Sequence, residues 1–150
     1  MHERWLADLL ARQAPRDVRA AVEWLTGHGY VLAGHSGGSS FGAQLTFDGE
    51  AQVVITVDRG QWFLDVAAAP GAEPHQYDLL IPALAGKPYA DVFPDARATA
   101  PDGELPEQLP PDVSWSETLP RVLAWIQGEG AAGAVADAGG QRTRLMWGGK

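Results

Sequence analysis

The chain contains no cysteine, which excludes disulfide bridges, thiolate nucleophiles and thiolate metal sites together and fits a reducing compartment. No run approaches the roughly 18–20 consecutive apolar residues that span a bilayer, so no membrane partner is expected. Residues 1–13 carry Glu3, Arg4, Asp8 and Arg12 among their leucines and lack the apolar core of a secretory signal. Cytoplasmic localisation is the expectation. Basic residues are also scarce: 11 Lys and Arg stand against 19 Asp and Glu, for a net charge of −8. The acids gather between residues 71 and 120, where only Lys87 and Arg97 oppose them. A surface of that sign repels phosphate backbones, which argues against nucleic acid, and it attracts basic proteins.

What the chain does have is enough apolar material for one core, with 45% hydrophobic residues over 150 positions. Trp5, Leu6, Leu9 and Leu10 share a helical stripe in residues 2–13, which Pro15 closes. Val18, Ala21, Val22 and Leu25 then repeat at i, i+3, i+4, i+7, predicting a second helix that Gly27 or Gly29 ends. From residue 30 the period changes from 3.6 to 2, and strands are predicted over 30–34, 41–47, 52–57 and 62–67. Asp48-Gly49 and Asp58-Arg59-Gly60 supply hairpin turns with glycine available for positive φ.

Asp78 caps a predicted short helix to Leu84, with Leu80, Ile81 and Leu84 inward, Gly86 at its end and Pro88 beyond. Ser114-Trp115-Ser116-Glu117 matches a capping box, and Leu119, Val122, Leu123 and Ile126 form the stripe of a last helix. Pro120 leaves the cap open between Ser114 and the later Ser116 or Thr118. The expected fold is α+β: two N-terminal helices, an antiparallel meander of about four strands, then a short helix and a C-terminal helix packed on one face of the sheet. That domain covers 1–128 and includes an acidic, proline-rich loop at 89–113. Residues 129–150 read as a Gly/Ala-rich tail.

Gly34-His35-Ser36-Gly37-Gly38 has the letters of a hydrolase nucleophile elbow. The elbow needs a helix after the serine, whereas the residues that follow alternate like a strand, so a hairpin loop over 34–40 is the expected form and no catalytic residue is assigned. The same glycines lack the Lys-Ser/Thr ending of a phosphate loop, and no cofactor is expected. His2, His28, His35 and His75 have no partner at ligand spacing, so no metal site is expected. Asp48, Asp58 and Asp65 fall at turns or on strands, where turn chemistry accounts for them. Of the six tryptophans, those on helices and strands are core candidates, and one left exposed beside the acidic loop suits an interface.

Asp58-Arg59-Gly60-Gln61-Trp62-Phe63, Tyr77-Asp78-Leu79 and Leu119-Pro120 leading to Leu123-Ala124-Trp125 resemble small, largely actinobacterial immunity-type proteins of polymorphic toxin systems. The resemblance implies binding and sequestration rather than turnover, and it carries over no site residue. A protein-binding module with a protein partner is therefore expected. A basic toxin domain suits the charge, with Asp102, Glu104, Glu107, Asp112 and Trp115 as the binding residues. The alternatives are an acidic secretion-type chaperone or adaptor, and a small serine hydrolase using Ser36 with His75 or His35.

Overall fold

The computed structural model describes residues 15–39, 42–58, 61–92 and 114–146. The expected helix at 2–13, with Trp5, and most of the acidic loop, with Asp102, Glu104, Glu107 and Asp112, lie outside them, as does Trp147.

Helix α1 (Arg16–Gly27) follows Pro15 and buries Val18, Ala21, Val22 and Leu25, the stripe seen in the sequence. His28 caps its end, its Nδ1 lying 2.7 Å from the Trp24 carbonyl and its ring stacked on Trp24. Strands β1 (Val31–Ser39), β2 (Gly42–Asp48), β3 (Gln52–Asp58), β4 (Gln61–Ala67) and β5 (His75–Gln76) pair antiparallel in chain order, so the predicted meander is present with a two-residue fifth strand added. Helices α2 (Tyr77–Ala85), α3 (Tyr89–Val92), α4 (Trp115–Ile126) and α5 (Ala131–Met146) follow.

Strand alternation decides the layers. Across β2, β3 and β4 the register aligns Leu45 with Ile55 and Leu64, and Phe47 with Val53 and Val66. All six are buried, in one cluster with the apolar stripes of α1, α4 and α5. The helices thus cover one face of the sheet, as two-layer packing requires.

Several expectations need correction. Residues 34–39 are strand rather than loop. β1 runs through to Ser39, where it pairs with Gly42, and it takes up two extra residues, Ala33 and Gly38, as bulges. Glycines read as turn signals here lie inside a strand because bulges accommodate them. Asp78 does not cap α2: Gln76 holds the cap position without a side-chain bond, and Asp78 is turned to other partners. Pro82 lies well inside that helix, past its first turn. Gly86 does end α2 in the left-handed region, at φ 66°. Tyr89, expected in the loop, is fully buried at the start of α3.

The described part of the expected tail is a 16-residue helix. Its stripe is Ala131, Val135 and Ala138, which does not stand out among the neighbouring Ala132, Ala134 and Ala136, yet all three are buried. A Cβ added at Gly139 would meet Leu79 Cδ1 at 3.8 Å, an ordinary contact, so α5 lies against α2 at this point. Arg142 then pairs with Asp78 at 3.0 Å, and Gln141 Oε1 accepts the Tyr89 N–H at 2.7 Å. Helix count and arrangement therefore differ from the expectation, and the α+β class with an antiparallel sheet holds.

Ser114 is the N-cap of α4, accepting from the Glu117 N–H at 3.3 Å, and Pro120 is inside the helix. The first turn is held from outside by Asp17 of α1. Its Oδ1 accepts from Ser114 Oγ at 2.7 Å, Ser116 Oγ at 2.6 Å and Ser116 N–H at 3.1 Å, and its Oδ2 from Trp115 N–H at 2.7 Å. A carboxylate at a helix N-terminus satisfies orphan donors and suits the dipole, which offsets the bond Pro120 removes. Burial raises the Asp17 pKa, but hydrogen bonds from Ser116, Ser114 and the two N–H groups outweigh it and hold the carboxyl below its ordinary value. The stability it contributes is complete above the unfolded-state value of about 4 and is lost as pH falls through the lower folded value. Asp17→Ala is expected to cost about 1–2 kcal/mol at neutral pH and to flatten the acid limb of the stability curve. Urea titrations at pH 7 and pH 3 measure both, and a difference between wild type and variant that persists undiminished at pH 3 refutes the assignment.

Candidate binding surface

The register that sends one set of strand residues inward sends the other set to the opposite face, away from the buried stripes of the described helices α1 and α4. Gln44, Thr56 and Phe63 form one cross-strand rank there, and Thr46, Val54, Asp65 and Gln76 form the next. Gln44 is exposed, and Thr46, Val54, Thr56, Phe63 and Asp65 are half-buried. Phe63 and Val54 belong neither to the core cluster nor to the partly buried residues packed on it, which include Trp62 from the same strand. Gln44 Nε2 reaches Thr56 Oγ1 at 3.4 Å. The result is a small apolar centre, Phe63 and Val54, with hydrogen-bonding neighbours.

At the β5 end of this face Asp78 is fully engaged. Tyr89 Oη donates to its Oδ2 at 2.8 Å, and Arg142 Nη1 lies 3.1 and 3.0 Å from its two oxygens and 2.6 Å from Gln76 Oε1. Burial first, and then the Asp78 charge, push the Tyr89 phenol pKa upward, so it remains a donor. Asp65 is treated differently. Burial and the Asp78 carboxylate raise its pKa, and among the described residues no side chain or backbone donor bonds to its carboxylate. An acid whose folded pKa is raised costs stability when ionised, and that cost fades as pH falls toward the unfolded value of about 4. Asp65→Asn is therefore expected to stabilise the protein at pH 7 by less than about 1 kcal/mol, because solvent screens a half-exposed site. The gain should shrink toward pH 4. Paired thermal melts across that range test it, and a destabilised variant would mean that the carboxylate makes a structural bond.

The sequence-derived candidates fall elsewhere. Asp102, Glu104, Glu107 and Asp112 lie outside the described residues. Trp115 is buried in the core at the start of α4, 7% exposed, so its ring area is committed to folding. Ser36 lies within β1, its backbone paired with Gln44, and the chain continues into the β1–β2 hairpin rather than into a helix. Among the described residues no group of three or more His, Asp or Glu is placed to hold a metal ion, and no helix is long and apolar enough to cross a membrane. Sequence reasoning missed the outer sheet face although its signal was there: Phe63 falls out of phase with Trp62, Leu64 and Val66. Comparison of the chain with protein families, curated proteins and solved structures gave no match.

Proposed function

We propose that this protein is a non-enzymatic binding module that holds another protein against the outer face of its sheet, opposite the core that the described helices bury, in the manner of an immunity-type protein that sequesters a toxin. The observation that carries the reading is the pair Phe63 and Val54, apolar side chains held off the core and ringed by Gln44, Thr46 and Thr56. Aromatic centres with polar surroundings are where binding energy concentrates. The net charge of −8 adds steering toward a basic partner.

Phe63→Lys places a charge at that centre without touching the core cluster. It is expected to abolish capture of the partner from extracts of the native host while leaving the thermal midpoint within a few degrees of wild type, since surface changes usually fall within about 0.5 kcal/mol. Capture of the same partner by a folded Phe63→Lys protein would refute the assignment of the surface. The hydrolase alternative has its own discriminator. The nucleophile elbow that these letters match requires a strand-to-helix turn, and Ser36 stands in a strand, so a fluorophosphonate probe is expected to leave it unlabelled.

A further inference from the structure

Asp65 sits on the outer face of β4 in the rank of Val54 and Gln76, beside the position of Phe63 two residues earlier. A threonine or asparagine there would keep the strand without the repulsion of Asp78. Asp48, another acid of this sheet, accepts the Gln52 side-chain amide at 2.9 Å, and Asp78 is paired with Arg142 at 3.0 Å. Asp65 has no such compensation among the described residues. Charge is also one-sided across the whole sheet: the five strands contain Asp48, Asp58 and Asp65 and neither Lys nor Arg. Arg142, which reaches the β5 end, turns its Nη1 to Asp78 and Gln76.

We infer that Asp65 is the charged contact of this surface, and that the occupant is a polypeptide segment of a partner protein bringing an arginine or lysine to Asp65 and apolar side chains to Phe63 and Val54. The inference rests on the binding role proposed above. A docked segment removes water from Asp65, and a guanidinium or ammonium group then compensates both its desolvation and the neighbouring Asp78. A neutral or acidic segment leaves the carboxylate buried and unpaired, so the same residue that attracts a basic partner rejects the others. A metal ion is a poorer occupant, because Asp65 offers one uncommitted carboxylate where oxygen-bound cations take six or more ligands.

Selection of a random dodecapeptide library displayed on phage against the full chain tests this. The enriched peptides are expected to share a Lys or Arg flanked by apolar residues. They should bind Asp65→Asn about tenfold or more weakly, the loss expected when one partner of a desolvated charge pair is removed. Selection against Asp65→Lys should replace the shared base with Glu or Asp. Asp65→Asn keeps the shape of the strand, and its circular dichroism and melting curve confirm the fold. Enriched peptides without a base, or with undiminished affinity for Asp65→Asn, overturn the inference. If those peptides nevertheless lose binding to Phe63→Lys, the docking face stands and only the role of Asp65 falls. No enrichment, or peptides that bind Phe63→Lys as well as wild type, overturns both.

Discussion

Leu123→Ala is expected to lower the free energy of unfolding by roughly 2–5 kcal/mol, the range for deleting a buried leucine side chain. Leu123 belongs to the stripe of α4 with Leu119, Val122 and Ile126, all buried in the cluster that also holds the α1 stripe and the inner sheet face. It is 7% exposed where Leu119 is 0%, so some of the space it leaves can be reached by solvent. That places the expectation in the lower half of the range. Against a total stability of about 5–15 kcal/mol this is a large fraction. Urea unfolding followed by tryptophan fluorescence gives the number, since Trp115 and Trp125 are on the same helix. A change below about 0.5 kcal/mol, the size of an ordinary surface substitution, would make α4 peripheral and with it the whole account of the core.

The second large effect is expected at Gly49, in the turn between β2 and β3. A Cβ built there would stand 2.7, 2.8 and 2.9 Å from Cε2, Cδ2 and Cγ of Tyr30. Gly49 is not among the glycines at positive φ, so its need is for room and not for a special conformation. The Tyr30 ring lies flush against the turn backbone, its Oη accepting the Ala51 N–H at 3.3 Å and its own N–H bonded to the Leu25 carbonyl at the end of α1. It therefore joins the first helix to the hairpin. Gly49→Ala forces that ring to move and should destabilise by roughly 1–3 kcal/mol, as overpacking does. A double variant, Gly49→Ala with Tyr30→Ala, separates the two causes. If the alanine at 49 costs as much without the tyrosine ring as with it, close packing is not the reason for the glycine.

The sequence could be read for fold wherever the signal is a period. The α1 and α4 stripes and the alternation of β2, β3 and β4 are written in residues whose size alone reveals burial. It misled where the signal is conformational or relational. Gly34 to Ser39 look like a loop because glycine is permissive, and only pairing with β2 makes them a strand. The α5 stripe of Ala131, Val135 and Ala138 is lost among the alanines on the other sides of the same segment and is defined once α2 lies against it. Asp78 has the right letter and place for a helix cap, but Arg142, some sixty residues later, claims it. The proposed binding surface follows the same logic. Phe63 is apolar and sits among apolar residues, so its being out of phase with Trp62, Leu64 and Val66 is easily passed over, and the register that pairs it with Thr56 fixes its outward direction.

The two bulges of β1 bear on how the protein behaves when crowded. As the end of the sheet, β1 has β2 as its sheet neighbour, and no described strand pairs with its far side. Fibril spines are built from about six consecutive residues in unbroken step. Ala33 and Gly38 break the step at both ends of the stretch from Gly34 to Gly37, and a bulged strand also bends and twists away from a flat neighbour. A second chain laid along that border finds no segment long enough to copy, so concentrated solutions should resist seeding by preformed fibrils.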